Sequence, residues 1–486
     1  MGVAAAPLAA TPSAQFCKTS RDLDQRPLIS GRWRSRVRHG LRRSVPLAAV
    51  AVLLAALCMA ASATSSSSRT GPATPFLVGV ADDHAKWLAR PDGLVAKYRD
   101  LGLDGVRVTI PWRLGQRKPT RLQGIYLHRA ASLVARGQRV VLAVFARPAQ
   151  APLDAAGRRQ YCGFLKHVLT RVPFHDAVIW NEANSPTFWP RSAGPWAYEA
   201  LLATCWRTLH ALRQGNVNVI STTAPRYDPA GFMREVGRAY AERRRRYPIV
   251  DTFGHNPYPN HAAEPPWVRN EDPRTVGQGD LDRYLQALTE AFAGTRQPVP
   301  GEGPTTVWYL ETGFQTMIAR TKRRYYHGEE TDRFVVPPVV AADAEPWVRD
   351  QARQIRDALL LARCQPHVGA FFNFELLDED RLAGWQSGVL WRDGTHKASY
   401  DTFRDAVRLV ESGRVDCSTV PGAGGPIPVG PPTAPAAPTE WARRVGSRRS
   451  GYGGPRGGTC PHLSRLPARR PARRQLLLEL RELARR

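Results

Sequence analysis

Eight short apolar runs, each followed by a stretch with helical spacing, predict an α/β fold of the (β/α)8 TIM-barrel type. The runs are continuous rather than alternating, the pattern of parallel strands buried on both faces. They occupy roughly 340 residues, and no Gly-x-Gly-x-x-Gly follows the first run, as an open dinucleotide-binding sheet would require.

In chain order the expected strands are residues 76–81, 105–110, 139–145, 177–180, 217–221, 249–253, 306–310 and 368–374. Between the fourth and fifth, Leu201, Cys205, Leu209 and Leu212 keep one helical face. The run 243–246, all arginine, suits the C-terminus of the next helix, where the dipole favours cations. Before the eighth strand, Val348, Ala352, Ile355, Leu359 and Ala362 share a face, with Pro346 fitting the first turn.

The barrel is expected over residues 75–417, one catalytic domain between two dissimilar ends. Residues 1–63 form an N-terminal extension in which arginines up to Arg43 precede an apolar run at 45–61 that closes on Ala61-Ser62-Ala63, the order of a signal peptide with a small-residue cleavage site. The alternative is a retained anchor, since 17 residues lie at the short edge of a membrane span, and only then would a membrane be a partner. A Ser-rich linker covers 64–74. Residues 418–486 turn to Pro, Gly, Ala and Arg, the composition of a disordered tail, with a basic amphipathic piece near the end.

Net charge is +27, but the two ends hold +7 and +10 of it, leaving +10 for the 354 residues between. A nucleic-acid partner is therefore not expected, because its footprint should lie on the folded domain with aromatic residues interleaved. Four cysteines fall in the barrel, Cys162, Cys205, Cys364 and Cys417, and allow three pairings. Pairing between sequential neighbours gives Cys162–Cys205 and Cys364–Cys417, disulfides in an oxidising compartment; buried free thiols are the other reading. None has metal spacing, and no cofactor is implied.

Catalytic groups in such barrels sit at the C-terminal ends of strands. There the chain places Asp82-Asp83-His84, Arg107 and Trp112, Trp180-Asn181-Glu182, His255-Asn256-Pro257-Tyr258, Glu311-Thr312 and Asn373-Phe374-Glu375. Glu182 and Glu311 each follow an apolar run directly, a costly place for a charge unless function or an ion pair compensates it. Two facing carboxyls are what glycoside hydrolysis requires.

Trp180-Asn181-Glu182 resembles the strand-four acid/base motif of the clan A retaining glycoside hydrolases, the cellulase-like and β-xylosidase-like barrels. Leu310-Glu311-Thr312-Gly313-Phe314 resembles their strand-seven nucleophile motif. The resemblance runs over residues 76–411 and implies roles. Glu182 is the general acid/base and Glu311 the nucleophile. Asn181 binds the sugar 2-hydroxyl, Tyr258 hydrogen-bonds the nucleophile and Arg107 helps keep it ionised. His255 lines the subsite next to the cleavage point, and Trp385, in Gly384-Trp385-Gln386-Ser387-Gly388, stacks on sugar. Trp189, in the loop after strand four, is a second possible platform or a packing residue.

The expected activity is thus a secreted or cell-envelope glycosidase that cleaves β-linked oligo- or polysaccharides with retention. The alternatives are a catalytically silent carbohydrate-binding barrel and an envelope interaction protein acting through its basic ends. The loop 315–344 carries Arg320, Lys322, Arg323 and Arg324, which fits an anionic glycan, but also Glu329, Glu330 and Asp332, which leaves a neutral one equally open.

Overall fold

A computed structural model describes residues 76–213, 217–331, 335–340, 349–425 and 427; the expected signal segment, the linker and all but the start of the expected tail lie outside the described residues. Eight parallel strands close into one barrel in sequence order. They are β1 (Leu77–Ala81), β2 (Gly105–Pro111), β3 (Arg139–Phe145), β4 (Asp176–Ile179), β5 (Asn218–Thr223), β6 (Thr252–His255), β7 (Val307–Thr312) and β8 (Val368–Asn373). Closure is direct, with Leu77 beside Ala370 and Val80 beside Asn373. The connecting helices are α1 (Asp92–Leu101), α2 (Arg121–Val134), α3 (Ala155–Leu169), α4 (Gly194–His210), α5 (Pro229–Glu242), α6 (Leu281–Phe292), α7 (Gln351–Cys364) and α8 (Ala398–Glu411).

Strand alternation sorts the apolar residues into two layers. Val141, Ala143, Val178, Ile220, Trp308, Leu310, Ala370 and Phe372 pack together as one cluster. Their strand neighbours, such as Val140, Leu142, Ala177, Ile179 and Phe371, join the larger core shared with the helices. The helix starts are locally encoded. Thr120 and Gln123 make a reciprocal capping box for α2, and Asp154, Asp228 and Asp350 accept from the third backbone N–H of α3, α5 and α7.

Two elements differ from expectation. The sixth strand starts three residues later than the expected 249–253, because the side-chain oxygen of Gln297 accepts from the N–H of Ile249 at 2.7 Å and of Val250 at 3.1 Å, taking both out of the ladder. Helix α7 starts at Gln351 behind the Asp350 cap, and the expected first-turn Pro346 lies outside the described residues. The arginine run does end α5, but it is more than a solvated terminus: Arg243 and Arg245 both pair with Glu199, a buried carboxylate of α4.

Both neighbour pairings of cysteine form disulfides. Cys162–Cys205 ties α3 to α4, and Cys364–Cys417 ties α7 to the turn after α8. That turn keeps the chain on the barrel a little past residue 417, where Val420 is buried. No helix among the described residues is long and apolar enough to cross a membrane.

Candidate active site

A cleft of about 1330 Å³ opens at the C-terminal ends of the strands and is lined by Glu182, Glu311, Asn181, Arg107, Tyr258 and Trp385. Six of the seven residues singled out from sequence therefore meet in one place. The seventh, His255, does not.

The end of β4 is held against its own backbone preference. Trp180 and Glu182 have φ of 67° and 40°, the left-handed region that side-chain-bearing residues avoid. Surrounding tyrosines fix it there. Tyr161 accepts from the N–H of Trp180 at 2.9 Å while donating to the carbonyl of Val144 at 2.5 Å. The hydroxyl of Tyr198 donates to the carbonyl of Ile179 at 2.9 Å, and the Trp180 indole donates to the carbonyl of Phe188 at 2.8 Å. Trp189 packs in this same nest, edge-on to Trp180 and Tyr198 and 2% exposed, so it is a packing residue and no sugar platform.

A different device aims Glu311. Along β7, Trp308 and Leu310 belong to one apolar cluster, so simple alternation would turn Glu311 toward the helices. However, Tyr309 stands beside Phe371 and Thr312 beside Asn373, which sets three steps of β7 against two of β8. This bulge reverses side-chain parity and brings Glu311 to the cleft.

The two carboxyls have unlike surroundings. Glu311 pairs through Oε1 with Nη1 of Arg107 and accepts through Oε2 from the hydroxyl of Tyr258 at 3.1 Å. The same guanidinium donates from Nη2 to Oδ1 of Asn181 at 2.9 Å, so one buried cation aligns residues from β4 and β7. Among the described residues no cation pairs with Glu182, Arg107 being taken by Glu311. It accepts from Asn256 Nδ2 at 2.9 Å, and its carboxyl is pushed up to about 7 by burial first and the charge of Glu311 second, against smaller opposing effects of Asn256 and Arg107. Burial and then Glu311 also raise the phenol of Tyr258, which stays a hydrogen-bond donor.

His255 is placed beneath the cleft rather than on it. It is 1% exposed, stacks on Tyr284 at 4.8 Å, and bonds Thr223 through Nδ1 and the carbonyl of Val276 through Nε2. Burial lowers it to about 4, so it is neutral at neutral pH and Nε2 is the donor. The expectation that it lines a sugar subsite is corrected, and its neighbour Asn256 contacts Glu182 instead. Alternation signals the swap: Phe253 faces the outer core, so His255 does too and Asn256 points the other way.

Trp385 is 37% exposed at the cleft, its ring 5.1 Å from Tyr258 and 5.2 Å from Phe374. Asp82, Asp83, Glu375 and Glu379 also line the cleft on the side of β1 and β8. Among the described residues no group of three His, Cys, Asp or Glu side chains is arranged to hold a metal ion.

No family model matches the chain, and no curated protein sequence does. Solved structures do. A family 39 glycoside hydrolase from Bacteroides cellulosilyticus WH2 is 15% identical with a TM-score of 0.49, over 69% of this chain and 64% of that one, so the match spans less than two thirds of the neighbour's length. A glucosidase from Croceicoccus marinus is 10% identical over 69% of this chain and 68% of its own, with a TM-score of 0.47. A glycoside hydrolase of family 5, subfamily 18, from Streptomyces cattleya in complex with GlcNAc is 15% identical over 73% and 87%, with a TM-score of 0.46.

Proposed function

We propose that the protein is a retaining glycoside hydrolase that cleaves β-linked glycans by double displacement, with Glu311 as nucleophile and Glu182 as general acid and then base. One observation carries this reading: two carboxyls converge on one cleft from β4 and β7, one matched by a guanidinium and a phenol, the other lifted to about 7. Such a split is how two glutamates in one site take opposite roles.

In the first step an oxygen of Glu311 attacks the anomeric carbon while protonated Glu182 gives its proton to the departing glycosidic oxygen. Arg107 and Tyr258 hold the attacking carboxylate in place, and Asn181, fixed by Arg107, presents its amide to the sugar hydroxyl beside the reacting carbon. With the covalent bond formed, Glu311 no longer carries the charge that raised Glu182. Glu182 then becomes the better base, takes a proton from water, and the hydroxide oxygen displaces Glu311 with net retention. Trp385 offers a ring face to the glycan. The two disulfides support an exported protein, because such bonds persist in oxidising compartments.

The deciding experiment follows the anomeric proton by NMR as the protein cleaves an aryl β-glycoside. A β-configured first product supports the reading, whereas an α-configured one means inversion and removes Glu311 as a nucleophile. No cleavage of any β-glycan across a broad panel, with glycan binding intact, makes the barrel a recognition module.

A further inference from the structure

Double displacement leaves one wall of the cleft unused. Asp82 and Asp83 follow β1, Glu375 and Glu379 follow β8, and all four reach the cleft. Most acid groups on this side already have partners. Oδ1 of Asp82 accepts from the backbone N and Nδ1 of His84, each at 2.7 Å, and Oδ2 from the N–H of Leu376 and of Leu377, each at 3.2 Å. Asp83 pairs with Lys86 at 2.5 Å, and Asp378, buried behind the wall, pairs with Lys397 at 2.8 Å.

Glu375 is the exception. It is 6% exposed, its Oε2 is buried with no hydrogen-bond partner, and no cation pairs with it among the described residues. Beside it, Glu379 accepts from the Trp385 N–H, at 3.3 Å from its Oε2. Unmet buried acceptors are rare because each forfeits its bond to water, and the residue that carries this one lines the cleft. Burial raises the Glu375 carboxyl well above its ordinary range, and the negative charges of Asp82, Glu379, Asp378 and Asp83 push it the same way. The two lysines on this side, Lys86 and Lys397, are already paired with Asp83 and Asp378.

We propose that this wall is a subsite for the ammonium group of an amino sugar, with the Glu375 carboxyl as the principal acceptor and Glu379 beside it. The glycan cleaved therefore carries free amino groups, an inference that rests on the glycosidase reading for its use of the cleft. A primary ammonium has three N–H donors and no acceptor, which suits a pocket that offers oxygens only. Its positive charge opposes the burial and negative neighbours that raise the Glu375 carboxyl, so binding favours the ionised form and a charge-assisted pair. Trp87 and Trp385, both exposed on this wall, add ring faces that attract a cation. A hard metal ion fits worse: it takes six or more oxygens, and both carboxylate oxygens of Asp82 are already committed to N–H donors.

Isothermal titration of the full chain carrying Glu182→Ala, which spares the ligand, tests the proposal with three β-1,4-linked tetrasaccharides: of glucosamine, of N-acetylglucosamine and of glucose. At about 0.15 M salt, where distant charges are screened, the glucosamine tetramer should bind about ten-fold tighter than either other. Adding Glu375→Gln should collapse that ratio, with a cooperative melting transition and unaltered circular dichroism showing a folded variant. The proposal is overturned if the glucosamine tetramer does not bind, if it has no advantage, or if the advantage survives Glu375→Gln. Glu375-dependent heat from calcium or magnesium chloride alone also overturns it, in favour of a metal. Hydrolysis by the wild-type chain is scored separately: binding preference without any cleavage sinks the glycosidase reading and leaves the subsite standing, and cleavage of neutral glycans without the preference does the reverse.

Discussion

The cleft has two walls, and they treat a buried carboxyl in opposite ways. Toward β4 and β7 the chain supplies the partners itself: Arg107 and Tyr258 for Glu311, Asn256 for Glu182. Toward β1 and β8 it satisfies Asp82, Asp83 and Asp378 but leaves Glu375 bare. In the proposed enzyme, a carboxyl with partners is set to act in every turnover, on whatever sugar is bound. One without partners is incomplete until a ligand fills the gap, so on the subsite proposal it selects among sugars. The two proposals together separate chemistry and choice of substrate across a single cleft.

Removing Glu311 tests the first wall most severely. Glu311→Ala should lower kcat by on the order of 10⁴-fold or more, the scale seen when a covalent nucleophile is deleted. Azide, small enough to take its place, should restore turnover of an aryl β-glycoside and release the α-glycosyl azide. Retained activity, or a β-configured azide, would remove Glu311 from the role. For Glu182→Ala the loss should be about 10²- to 10⁴-fold, and it should shrink when the leaving group is a good one that needs no proton. An equal loss for good and poor leaving groups would mean that Glu182 is not the acid.

How far the sequence reached is clearest at single residues. Short continuous apolar runs, each followed by a helical stretch, were enough for the barrel, because parallel strands covered by helices are apolar on both faces. The start of the sixth strand was misplaced by three residues because Gln297, 48 positions beyond Ile249, takes its N–H, and no local pattern announces a bond of that range. Glu182 and Glu311 were legible as carboxyls at strand ends. What aims them was not: neither the bulge in β7 nor the left-handed turn at Trp180 can be read from residue types, since both arise from register with neighbouring strands and from Tyr161 and Tyr198. Glu375 was visible as a strand-end acid, but its lack of a partner is a fact of packing.

Acidity gives a finer test of the first wall. Protonated Glu182 is the form that donates, so kcat/KM of the wild type should fall as pH rises through about 7. Asn256 bonds to Glu182 and favours its ionised form, so Asn256→Ala should shift that alkaline limb to higher pH. A limb that stays in place, or moves down, breaks the link between this hydrogen bond and the acid.

Stability supplies the smallest effect and the most direct contrast between the walls. In the folded chain the Glu375 carboxyl titrates well above its ordinary 4.5. Its contribution to stability is therefore fully present below 4.5 and is lost as pH rises through the folded value, because the folded state resists giving up the proton that the unfolded state releases. Glutamine cannot ionise and escapes that loss. Glu375→Gln should accordingly melt a few degrees above wild type at about pH 8 and converge with it at about pH 4, below the ordinary carboxylate range. Glu311→Gln should do the opposite at the alkaline end and melt lower, since it leaves the buried guanidinium of Arg107 without its carboxylate. Calorimetry of both variants across that range decides the matter: shifts of the same sign would mean that the walls do not differ in how they hold a charge, and the division between chemistry and selection would lose its physical basis.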